Sequence, residues 1–166
     1  MEQKVDGGSV APAFRPNLVG CVAKDVRMAR WVEECYAGAL ASVAAYTYRS
    51  LMTEHSDPGF SRVMEELREE KGEHFRLLGG LILALGAEPA VRAQIRVGGE
   101  RRCREGGSRE ERTQMLQDAM REERSAVDRM QTLMGRTEDR VVRSLLSYLI
   151  SDGERWLCAL EEMETQ

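Results

Sequence analysis

The sequence predicts an all-α protein: a four-helix bundle made of two antiparallel hairpins joined by one long crossover. Three observations point there. Apolar residues recur at helical spacing through four long segments, each segment has capping residues at its ends, and the three connections run short, long, short. The composition agrees, being poor in aromatics (5%) and rich in strong helix formers such as Leu, Ala, Glu and Arg.

Residues 1–24 carry two prolines and several glycines without a sustained period, so they read as a flexible arm ahead of a bundle at 25–166. The first helix spans about 26–54, with Asp25 as N-cap. Asp57-Pro58 opens the second, a cap followed by a proline whose missing N–H costs nothing at the first helical position. This helix runs over 58–85 and stops at Gly86, with Pro89 just beyond. Ser108 starts the third, over 109–134, in a capping box with Glu111. Gly135 ends it, and Thr137 is the expected cap of the fourth, over 138–164.

Short turns make hairpins of helices 1 and 2 and of helices 3 and 4. The crossover at about 90–107 is long enough to run the length of a bundle, which lets helix 3 lie parallel to helix 2. It holds Arg92, Arg96, Arg101, Arg102 and Arg104, with Arg109 following, against Glu100 and Glu105. It reads as a solvated loop, with a site for an anion or acidic partner as the other reading.

Composition also narrows function. A formal charge of −4 argues against a general nucleic-acid binder. No apolar run reaches the ~20 residues a membrane span needs, and residues 1–8 lack the basic-then-apolar order of a signal peptide. Cys21, Cys35, Cys103 and Cys158 are scattered without a CxxC pair, which speaks against a zinc knuckle or disulfide framework and for free thiols in a cytoplasmic protein. No nucleophile–base triad or phosphate-binding glycine loop is visible.

The core-facing stripes are Val32, Tyr36, Ala39, Val43, Tyr46 on helix 1 and Met64, Leu67, Lys71, His74, Leu78, Leu81 on helix 2. On helix 3 they are Leu116, Met120, Glu123, Val127, Met130, Met134, and on helix 4 Val142, Leu146, Leu149, Gly153, Trp156, Leu160, Met163. Lys71, His74 and Glu123 therefore form a polar cluster at mid-core. A buried charge needs a partner or a metal, because leaving it bare costs several kcal/mol.

The segments Tyr36–Tyr46, Glu70–Pro89 and Ala119–Val127 resemble helices 1, 2 and 3 of rubrerythrin-type ferritin-like proteins. The resemblance covers roughly residues 30–164 and rests on pattern and spacing. It implies a site made of two halves, each giving one Glu from its first helix and Glu-x-x-His from its second, to hold two iron or manganese ions. On this register the first half offers Ala39 and Lys71-x-x-His74, and the second offers Glu123 and Gly153-x-x-Trp156. The halves agree in spacing, 32 positions from 39 to 71 and 30 from 123 to 153. Ala39, Lys71, Gly153 and Trp156 thus stand at lost ligand positions, and only His74 and Glu123 are retained.

Three expectations follow. The first is a degenerate centre without a cofactor or catalytic residues, in which a Lys71–Glu123 ion pair replaces the metals, Trp156 fills space, and the role is structural or partner-binding, as a homodimer through a helix pair. The second is a di-iron or manganese oxidoreductase or peroxidase with shifted ligands Glu70, His74 and Glu123. Glu34, Glu73 or Asp152 could then turn inward through a helix bulge near Gly72. A third is a small-molecule pocket lined by Trp156, Tyr46 and methionines.

Overall fold

The computed structural model describes residue 18, residues 20–91 and residues 109–165. Four α-helices follow one another: α1 (Val26–Thr53), α2 (Pro58–Ala84), α3 (Arg109–Met134) and α4 (Arg140–Glu164). Most of the crossover at 90–107, with Cys103 and five of its arginines, lies outside the described residues, as do Ser108 and residues 1–17 and 19 of the arm 1–24, of which Leu18 and Val22 are buried against the bundle core.

The ends follow from the capping chemistry. The Asp25 carboxylate accepts from the Met28 N–H, and Asp57 accepts from Phe60, so both helix starts have their orphan donors satisfied. Gly86 takes the left-handed conformation (φ 93°) that ends α2. Lys24 then donates to the Ala84 carbonyl at 3.2 Å, where the helix dipole is negative. Helix α4 begins two residues later than the sequence suggested. Its N-cap is Asp139, accepting from Val141 and Val142, while the Thr137 hydroxyl accepts from the Asp139 N–H one step earlier. A carboxylate outcompetes a hydroxyl here because it accepts two donors and complements the dipole.

Within the described chain α1 packs on α2 and α3 on α4 as hairpins, α1 also meets α3, α2 meets α4, and α2 and α3 lie on the bundle diagonal. Two apolar clusters fill the interior. The larger holds Ala39, Leu78, Val127 and Leu149, and the smaller holds Tyr46, Leu67, Met120 and Trp156. Between them Ser42, Lys71, His74 and Glu123 form a buried polar waist. The expected stripes hold except at their margins. Tyr36, Val43, Met134 and Met163 are half-buried, while Cys35, Ser42 and Leu133 are buried instead. No helix among the described residues is long and apolar enough to cross a membrane.

The glycines distinguish close approach from open surface. A Cβ on Gly153 would stand 2.7 Å from Val127 Cγ2, so this residue lets α4 approach α3 beside Glu123. A Cβ on Gly79 would meet the Tyr36 ring at 3.1 Å, whereas one on Gly80 or Gly72 would meet nothing within 4 Å. Helix α2 runs through Gly72 as regular α-helix, without the bulge considered from sequence. Gly153→Ala is therefore expected to destabilise by about 1–3 kcal/mol through overpacking, despite its better helix propensity. Gly72→Ala, which meets nothing, should stabilise by about 0.5–1 kcal/mol. Urea midpoints of the two variants against the parent check both signs.

Candidate functional site

At the polar waist Tyr46 of α1, Lys71 of α2 and Glu123 of α3 meet, with Gly153 of α4 beside them. The Lys71 ammonium lies 2.6 Å from Glu123 Oε2, with side chains only 3% and 0% exposed. The Tyr46 hydroxyl donates to Glu123 Oε1, also at 2.6 Å, and Gly153 faces the same carboxylate from α4. Burial, with the charge and hydrogen bond of Glu123, pushes the Tyr46 phenol well above its ordinary range, so it remains a donor. Both oxygens of Glu123 are thus engaged, one by a cation and one by a hydroxyl.

His74 lies beside this pair but turns its Nε2 to α4 and to its own helix. That nitrogen is 3.3 Å from Asp152 Oδ2 and 3.9 Å from Glu70 Oε1. Glu70 and His74 share a helix face because they are four residues apart. Arg155 reaches across from α4 to Glu70 Oε2 at 2.6 Å and stands 3.6 Å from Asp152 Oδ1. Burial raises the Asp152 carboxyl, but the hydrogen bond and charge of His74, with Arg155 and Tyr148, outweigh it and hold the group below its ordinary range. Glu70, His74 and Asp152 form a group whose ligand atoms all lie within 4.8 Å of one another, a group that could hold a metal ion. Glu123 is not part of it.

Ala39 lines a cavity of about 20 Å³ together with Lys71, His74, Ser42 and Cys35, room for about one water. Burial above all pushes the Cys35 thiol up to about 11, so it offers this space a protonated sulfur at neutral pH. Arg129 and Cys35 also line a wider groove of about 440 Å³ between α1 and α3. Trp156 sits in the smaller apolar cluster, its Nε1 buried without a hydrogen-bond partner. Neither the groove nor the inner cavity is lined by Trp156 or Tyr46, the lining suggested by the third expectation. His55 is exposed beside its turn.

No protein-family model matches the sequence, and no curated protein does. Among solved structures, a bacterioferritin from Desulfovibrio desulfuricans, titled for its diiron site in different catalytic states, superposes with a TM-score of 0.70. The match covers 84% of this chain and 78% of that one at 14% identity. The fold is ferritin-like. At that identity the likeness establishes the bundle and its helix order, and the chemistry of the centre has to be read from the side chains.

Sequence reasoning singled out Lys71, His74 and Glu123, and the fold places them in one buried layer. It missed two partners. Arg49, 7% exposed, makes a two-pronged pair with Glu122 at 2.6 and 2.8 Å that ties α1 to α3. Its signal was an Arg on the buried side of α1, three residues after Tyr46. Tyr148, which binds Asp152, carried no signal beyond its i, i+4 spacing.

The buried pair has a measurable signature. Lys71→Met or Glu123→Leu alone leaves an uncompensated buried charge and is expected to cost about 3–5 kcal/mol. The double variant should recover most of that loss, giving a strongly non-additive cycle in denaturant unfolding. Additive losses would contradict the pairing.

Proposed function

We propose that this chain is a ferritin-like bundle in which an internal ion pair has replaced di-metal redox chemistry, and that its role is structural or partner-binding. The observation that carries this is Glu123, the sole carboxylate at the six positions marked by the rubrerythrin resemblance, with both oxygens committed to Lys71 and Tyr46.

The remaining donors do not fit a two-metal group. Ala39 and Gly153 have no ligand atoms, and an indole N–H at Trp156 donates without accepting. Lys71 puts an ammonium where a dication would feel like-charge repulsion. One His and one engaged carboxylate are too few to hold two ions. The oxidoreductase or peroxidase reading, with ligands Glu70, His74 and Glu123, would need Glu123 to break both bonds and leave Lys71 unpaired in the core.

Partner binding is proposed to begin with a second copy of the chain, joined through a helix pair. Protein purified without chelators is expected to carry fewer than two Fe or Mn ions per chain by elemental analysis and to show no peroxide turnover. Two ions per chain, with turnover that His74→Ala abolishes, would reverse the assignment. Light scattering should give twice the 18.7 kDa chain mass; a monomer would remove the dimer from the proposal.

A further inference from the structure

The Glu70–His74–Asp152 group lies off the bundle centre. Glu70 immediately precedes Lys71, and Asp152 immediately precedes Gly153. One residue along a helix is a rotation of about 100°. In both helices the acid is therefore turned from the axis toward the seam where α2 meets α4.

Four details distinguish this group from an ordinary patch of surface acids. His74 is almost wholly buried, its side chain 4% exposed, while Glu70 and Asp152 are 19% and 17% exposed. Glu70 Oε1 is buried and has no hydrogen-bond partner; the 3.9 Å to His74 Nε2 is too long for one. Arg155 grips Glu70 Oε2 and approaches Asp152 Oδ1, and Tyr148 also holds Asp152, so the carboxylates are fixed with Oε1 and Oδ2 toward the imidazole. Finally, one proton on Nε2 can serve only one of those two oxygens. A cation among the three atoms would serve all of them, and the surrounding Arg and Tyr match the outer contacts that orient metal ligands.

Two of the three donor separations suit a small ion, and the third, Glu70 to Asp152, is within 4.8 Å. Two donors about 2.1 Å from a tetrahedral ion are about 3.4 Å apart. His74 to Asp152 is already 3.3 Å, and His74 to Glu70 needs a contraction of about half an ångström from 3.9 Å. The charges suit one too: two carboxylates stand against one guanidinium around the imidazole.

We propose that Glu70, His74 and Asp152 bind a single first-row divalent ion on the α2–α4 seam, with Zn2+ and Co2+ preferred over Mn2+. One imidazole nitrogen and two carboxylate oxygens supply three ligands and leave at least one position open. The site is separate from the Lys71–Glu123 pair and does not require that pair to open.

The test uses full-length protein freed of metal by chelator and then exchanged into chelator-free buffer. Co2+ is added while visible absorption is followed, and Zn2+ is titrated by calorimetry. One ion per chain is expected, with Co2+ bands that saturate and are removed by Zn2+. Asp152→Asn, close in shape to the parent, and His74→Ala should each weaken binding at least 10-fold, while Glu73→Gln, nearby on α2, should not. Absence of saturable binding overturns the site, as does binding that Asp152→Asn and His74→Ala leave unchanged, and neither result disturbs the ion-pair reading. Two ions per chain, one of them lost in Glu123→Gln, would overturn the ion-pair reading instead.

Discussion

A lysine ammonium and a glutamate carboxylate, 2.6 Å apart and sealed from water, set the terms for the middle of this bundle. Removing two charges from water is expensive, and their attraction repays it only when geometry is good and the remaining lone pairs are satisfied. Here Tyr46 takes the second carboxylate oxygen. Because α2 and α3 lie on the diagonal, the pair spans the bundle axis, and the other two helices must accommodate it. Helix α1 does so with a hydroxyl, and α4 with Gly153, the residue that admits Val127 and the carboxylate at close range.

The rest of the interior is organised around that layer. Apolar clusters above and below exclude water, which strengthens the ion pair and at the same time makes breaking it costly. Trp156, just below, contributes area at the expense of an unpaired indole N–H, about 1–3 kcal/mol of desolvation that a phenylalanine there would avoid. The waist is not uniformly closed. Ala39 leaves room for about one water beside Lys71 and His74, and His74 looks away from Glu123 toward acids on the α2–α4 seam.

Helix number, hairpin pairing and the buried stripes were readable from the residues because they depend on local rules. Asp25 and Asp57-Pro58 are capping chemistry, and a 3.6-residue stripe places Lys71 and Glu123 in the core whatever surrounds them. Less readable was anything decided by competition between near-equal local choices. Asp139 displaced Thr137 as the cap of α4, and Cys35 displaced Tyr36 from the core because Tyr36 instead stacks on Phe75 at 4.2 Å, half in solvent. Least readable were pairings between helices distant in sequence. Asp152 was one of three acids that could have turned inward and Arg155 looked like ordinary surface charge until α4 was laid against α2, and Arg49 required knowledge that Glu122 stood opposite.

An anomalous difference map at the iron and manganese edges, from crystals soaked in both metals, bears most directly on the centre. With the ion pair in place, no peak lies between His74 and Glu123, and the Lys71 nitrogen stays on the Glu123 carboxylate. A pair of peaks there, with Lys71 turned out and Glu123 bridging them, would mean that the bundle keeps a di-metal centre after all.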